Sequence, residues 1–306
     1  MDPQPWRAYE PGLGASAASR LLDVVPVVLV VVAAISQELG AAFAVKLFSA
    51  LGPVGAVFVR LAVSGVVLCA AMRPRIRGLT RRAWFAAIGL AAALVVMNTC
   101  FYLAIDRIPL GVAVTIEVLG PLVLSVAVSA RRTAWLWALL AFAGVALLGL
   151  SQQRLGGIDA AGFAFAAAAA VAWAAYILAS ARAGAEFPRL DGLALATALG
   201  ALAIAPFALF SIDPVAALHW DVAGLALVVG VMSSVIPYSL ELLSLRRLSA
   251  ETFAVLTSIS PVTAAIAGWL VLGQRLGVPG YVAIVLVSVA CVGAVRSAHR
   301  SGTITN

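Results

Sequence analysis

The chain has 306 residues, of which 63% are hydrophobic and only 11% charged, with a net charge of +7 and a pI near 10. A soluble domain of this size is about half apolar and a quarter charged, so this composition excludes an ordinary water-soluble globule and indicates a polytopic membrane protein. The basic residues flank apolar runs, as topology-setting residues do, which argues against a nucleic-acid partner.

In chain order, residues 1–23 carry proline, glycine and both charge signs without the basic-then-apolar build of a cleaved signal. They read as a disordered cytoplasmic tail. Ten apolar runs follow, each close to the ~17–25 residues that a bilayer span requires. They cover 24–45, 53–72, 83–103, 109–130, 133–150, 158–181, 190–210, 221–243, 249–270 and 278–296. Pro53, Pro109 and Pro279 fall at helix starts, where a missing N–H loses no bond. Residues 297–306 form a second cytoplasmic tail. The predicted fold class is an all-α membrane protein with ten transmembrane helices.

With the N-terminus inside, the inner connectors hold 15 of the 20 basic residues, including the cluster Arg73, Arg75, Arg77, Arg81 and Arg82. The outer connectors hold 4, namely Lys46, Arg107, Arg154 and Arg275, and Arg60 lies within a span. This asymmetry predicts cytoplasmic N- and C-termini.

An internal echo accompanies the topology. Leu103, Arg107 and Pro121 recur 140 residues later as Leu243, Arg247 and Pro261. The echo joins the fourth span to the ninth. Because five spans separate equivalent points, the two halves, 24–150 and 158–296, are predicted to insert with opposite orientation around a central cavity. Transporters use such inverted repeats for alternating access.

Four charged residues lie well inside spans: Glu38, Arg60, Glu117 and Glu241. Each costs roughly 2.5–3.5 kcal/mol on insertion scales, and intramembrane ionisable groups are functional by default. The bland alternative is an internal ion pair, such as Arg60 with a glutamate, that fixes helix packing. Pro121 deprives the Glu117 carbonyl of its helical donor, and Pro237 does the same to Ser233. Pro121, Pro237 and Pro261 are therefore candidate hinges. Asn98 and Tyr102, Trp173 and Tyr176, and Tyr238 and Glu241 share helix faces by spacing and are candidate cavity walls. Gly65, Gly89, Gly144 and Gly200 read as packing contacts.

Cys69, Cys100 and Cys291 lie inside apolar runs, and with His219 and His299 they have no metal-ligand spacing, so neither a metal nor a cofactor is expected. No nucleophile elbow, phosphate loop or zinc-protease motif occurs, which argues against an enzyme and an ATP-driven pump.

The run from Phe101 to Gly111, then Glu117-Val118-Leu119-Gly120-Pro121, resembles the first-half signature of EamA-domain transporters in the drug/metabolite transporter superfamily. Ile236 to Arg247 is similar to the second-half signature, and Phe43 to Leu51 with Arg60-Leu61 resembles the first two spans. The threonine/homoserine and aromatic amino-acid exporter branches are the nearest. The resemblance runs from about Val24 to Val295. It implies two inverted five-helix repeats and export of amino acids or similar metabolites, with Arg60, Glu117, Tyr238 and Glu241 on motif positions. Two departures stand out: Ser260-Pro261 replaces a frequent Glu-Pro, and Gly273-Gln274-Arg275 replaces a frequent Gly-Glu-Arg.

The functional expectation is a secondary transporter of the inner membrane whose partners are the lipid bilayer and a small amphipathic or zwitterionic substrate. Glu117 and Glu241 can meet an ammonium, Arg60 or a helix N-terminus can meet a carboxylate, Glu38 is a further candidate substrate-binding residue, and a buried glutamate can carry a coupling proton. The alternatives are a proton-coupled exporter of lipophilic cations or drugs, or, from another class, a channel or a non-transporting assembly partner. The oligomeric state is open, a monomer included.

Overall fold

A computed structural model describes residues 13–128, 132–154, 159–217, 219–245 and 256–299. The elements are α1 (Leu13–Val45), α2 (Phe48–Met72), α3 (Arg81–Ile105), α4 (Leu110–Glu117), α5 (Leu119–Val128), α6 (Arg132–Arg154), α7 (Ala160–Glu186) and α8 (Asp191–Leu209). They continue with α9 (Pro214–Ala217), α10 (Trp220–Gly230), a π-helical turn (Val231–Val235), α11 (Ile236–Leu245), α12 (Ser260–Leu272) and α13 (Val278–His299). Six segments are long and apolar enough to cross a membrane: Val25–Val45, Phe48–Met72, Arg81–Ile105, Ala160–Glu186, Asp191–Leu209 and Trp220–Glu241. Four shorter apolar helices, Leu110–Leu124, Trp135–Leu148, Ser260–Leu272 and Val278–Gly293, complete the ten that hydropathy predicts.

The helix ends follow local chemistry. Thr80 caps α3 by accepting from the Ala83 N–H at 3.1 Å, and Asp159 caps α7 by accepting from the Gly162 N–H at 2.8 Å. Gly52, at φ 64°, kinks the start of α2 immediately before Pro53. Only glycine enters that left-handed region without a steric penalty.

One predicted boundary needs correction, and two spans carry breaks. The first helix starts at Leu13, so residues 13–23 are helical rather than a disordered tail. Hydropathy marks where a span enters the bilayer, while the Ala- and Leu-rich residues before it favour helix in any solvent. The fourth span is not one helix, because Pro121 has no N–H for the Glu117 carbonyl and α4 ends at Glu117. The ninth span shows a matching turn at Ser258–Ile259, just before Pro261, where the 140-residue echo places it; residues 246–255 lie outside the described set.

Numbered as ten spans, the third packs on the sixth and the eighth on the first; the second packs on the seventh, the fourth on the ninth and the fifth on the tenth. The fourth also meets the sixth and the ninth the first, while the second meets the eighth and the seventh the third. Exchanging each span with the one five further along maps this set onto itself.

Small residues permit these approaches. A Cβ on Gly120 would collide with the Ala170 carbonyl oxygen, so the fourth span touches the α7 backbone where no larger residue fits. Gly65, Gly144 and Gly200 are packing contacts against Ala198, Val287 and Val95. Gly89 is not, since a Cβ there would face open space.

One end of the bundle is joined across the two halves. The Asp213 N–H donates to the Ala50 carbonyl at 2.9 Å, Arg107 pairs with Asp159 at 3.5 Å, and the Leu110 N–H donates to Gln274 Oε1 at 3.0 Å. The last bond uses a donor that the start of α4 leaves unsatisfied.

Candidate functional site

The site is built on the π turn of the eighth span. There the Ile236 N–H bonds to the Val231 carbonyl, five residues back, so the Met232 carbonyl loses its α-helical donor. One residue on, Pro237 leaves the Ser233 carbonyl without one. Two consecutive carbonyls are thus freed inside an apolar bundle, where an unsatisfied acceptor is costly.

Both are claimed by side chains from the first half. Ser36 Oγ donates to the Met232 carbonyl at 2.8 Å. Arg60 Nη2 donates to the Ser233 carbonyl at 2.6 Å, and its Nε donates to Ser234 Oγ at 2.8 Å. Gly40 lets α1 come close, since a Cβ there would sit 2.7 Å from the Ser233 nitrogen. The freed Ser233 carbonyl was legible in the sequence; the π turn, Ser36 and Ser234 as partners were not.

Arg60 is 4% exposed and is the single buried cation among the described residues. Its guanidinium carbon lies 5.7 Å from the Tyr102 ring centroid, within cation–π range. No carboxylate approaches it within 4.0 Å among the described residues, so the ion-pair alternative gives way to backbone and hydroxyl acceptors. The charges of Glu38, Glu117 and Glu241 nevertheless act on Arg60's surroundings, and Glu38 and Glu117 also feel each other. Two buried acids, Glu38 and Glu117, and the half-buried Glu241 thus act on one base. Glu38 is 3% exposed, and its Oε2 has no hydrogen-bond partner among the described residues.

The aromatic residues gather at the same place. Tyr102 is fully buried against Phe48, and the Tyr176 and Tyr238 rings are 6.3 Å apart. The Tyr238 hydroxyl lies beside Asn98 and Arg60. Asn98 also donates to the Leu94 carbonyl at 2.7 Å. Trp173 packs with Tyr176 and Tyr238 in one apolar cluster. Ser64, one turn beyond Arg60, adds a buried hydroxyl without a partner among the described residues. Of the candidate hinges, Pro121 and Pro261 sit at helix breaks and Pro237 at the end of the π turn. Arg247, the counterpart of Arg107, lies outside the described residues.

The EamA-like transporter family matches residues 160–296. The chain is 33% identical over 280 residues to the threonine/homoserine exporter RhtA of Escherichia coli strain K12, covering 92% of each chain. It is 32% identical over 284 residues to RhtA of Salmonella typhimurium strain LT2, covering 92% of this chain and 96% of that one. A solved crystal structure at 20% identity shares the fold, with a TM-score of 0.63 over 90% of this chain and 98% of its own.

Proposed function

Because the chain belongs to the EamA-like transporter family of the drug/metabolite transporter superfamily, we propose that it exports amino acids or related small metabolites across the inner membrane by alternating access. The observation that carries this reading is the surplus of buried acid around Arg60. A zwitterion brings one ammonium and one carboxylate to a site that holds Glu38, Glu117 and Glu241 against a single guanidinium. Glu38 Oε2 has no donor of its own, which makes it the natural acceptor for the ammonium. The carboxylate replaces Ser233 as an Arg60 acceptor, a stronger partner because it is charged.

This exchange couples binding to movement. Arg60 and Ser36 hold the π turn against the first half, so withdrawing Arg60 releases the eighth span at its weakest point. The symmetric set of span pairings and the two breaks 140 residues apart support two inverted five-helix repeats, 24–150 and 158–296. The basic asymmetry of the connectors supports cytoplasmic termini.

A second reading, export of lipophilic cations, is favoured by the same acid surplus together with Tyr102, Trp173, Tyr176 and Tyr238. Counterflow in proteoliposomes decides between them. With unlabelled threonine, homoserine, methionine or phenylalanine inside, labelled substrate should accumulate saturably. No counterflow with any of these, combined with competition by tetraphenylphosphonium in a drug-uptake assay, would replace amino-acid export with cation export. Unsaturable leak would make the protein a channel.

A further inference from the structure

At the end of the bundle opposite the three inter-half links, a cavity of about 490 Å³ opens between the 73–79 connector of the first half and residues 186–191 of the second. Arg73, Arg75, Arg77 and Arg189 line it and are exposed, as is Glu186. Asp191 also lines it and is only 9% exposed. Arg73 and Arg189 are the two non-glycine residues with positive φ among the described residues, both at 49°. L-residues seldom adopt that conformation, and both instances border this one cavity.

Asp191 has an unused acceptor. Its Oδ1 has no hydrogen-bond partner among the described residues, and the nearest cation, Arg189 Nη2, stands 4.0 Å away. That separation is too long for a hydrogen bond. The lining therefore pairs a buried carboxylate with a set of solvated guanidiniums. The four guanidiniums outnumber the two carboxylates, so a simple cation is repelled, while a simple anion leaves the Asp191 carboxylate without a donor. A molecule with an ammonium beside a carboxylate satisfies both, its ammonium on Asp191 and its carboxylate bridged by the arginine forks.

We propose that this cavity is a second binding site for the zwitterionic amino acid, a loading site at the cytoplasmic entrance that precedes the site around Arg60. The proposal rests on the amino-acid export reading and places its capture step. An exporter must collect a dilute substrate from the cytoplasm, and a mouth that offers both charge signs holds a dipolar solute by both ends.

Equilibrium binding of labelled L-threonine to the full-length protein in nanodiscs tests this, in lipid with and without phosphatidylethanolamine. Wild type should bind close to two threonines per chain in both lipids. Asp191→Asn should bind one, and Arg77→Gln should weaken that same site by about tenfold, as loss of a charge-assisted hydrogen bond does. Glu117→Gln should also bind one, and its remaining site should vanish when combined with Asp191→Asn. One threonine per wild-type chain, unaltered by Asp191→Asn or Arg77→Gln, overturns the loading site while leaving export standing. No threonine bound by wild type overturns both. Two sites only when phosphatidylethanolamine is absent would make the lipid headgroup the occupant and overturn the proposal. Arg77 is exposed on a connector, so its variant remains informative if Asp191→Asn fails to fold.

Discussion

Arg60 Nη2 rests 2.6 Å from the carbonyl oxygen of Ser233, the acceptor that Pro237 deprives of its helical N–H, 173 residues away in sequence. A guanidinium in the bundle core is satisfied by a defect in a neighbouring helix rather than by an acid. The defect and the charge explain each other: each is costly alone, and together they form a joint between α2 and the eighth span.

Pro237→Ala tests the joint directly. Alanine supplies an N–H to the Ser233 carbonyl and removes a residue that costs a helix interior about 3 kcal/mol. Thermal stability in detergent should hold or rise, while counterflow slows because the eighth span loses its flexible turn. Faster or unchanged counterflow would show that the freed carbonyl plays no part in transport.

Arg60→Lys keeps the charge but loses the fork that reaches Ser233 and Ser234 together. Counterflow should fall by at least tenfold. Ser234→Ala, which removes one of the two contacts, should cost about 1 kcal/mol of stability and leave measurable transport. Equal losses in the two variants would count against a two-point hold.

The glutamates should behave oppositely to Arg60 in stability. Glu38→Gln removes a buried carboxylate whose Oε2 has no partner, so folding should be unharmed or improved. Transport should nevertheless drop sharply, as it should in Glu117→Gln with membrane insertion intact. Arg60→Gln, by contrast, leaves three acids without their one cation and should destabilise the bundle. Thermal melts run beside counterflow separate these outcomes, and a Glu38→Gln protein with full transport would remove that residue from the site.

The ten spans were legible because a bilayer demands a continuous apolar run, and the breaks before Pro121 and Pro261 because proline lacks a donor. Where α1 begins was not legible, since hydropathy is silent on helix that continues beyond the apolar run. Arg60 was legible as important and the Ser233 carbonyl as freed, but nothing local joins the two: only the assembled bundle brings them together across 173 residues. Gly89 was misread for a similar reason. A glycine in an apolar run suggests close packing, but whether a neighbour arrives is decided by the assembled bundle.

The two glycines make that point measurable. Gly120→Ala forces a methyl into the Ala170 carbonyl, backbone against side chain with no flexible group to yield. It should destabilise by about 1–3 kcal/mol, as overpacking does. Gly89→Ala meets open space and should be neutral or slightly stabilising through helix propensity. If both variants melted alike, the close approach of the fourth span to α7 would be wrong.

The link between Arg107 and Asp159 makes a prediction about pH. Asp159 accepts the Gly162 N–H and lies beside Arg107, and these hold its carboxyl below the usual aspartate range. A carboxyl whose folded value is depressed contributes stability above its unfolded value, near pH 4, and loses it as pH falls through the folded value. The contribution should thus be constant from pH 8 to about 5 and decline only below about 4. Because the pair is half exposed, added salt should weaken it at every pH. Asp159→Asn removes the charge but can still cap α7, so comparing its melting temperature with wild type across this range isolates the pair. The difference should be flat near neutrality and vanish in acid. A difference that widens on acidification would mean that Asp159 is held in its protonated form, and the link at this end of the bundle would have to be carried by Leu110 with Gln274 and by Ala50 with Asp213.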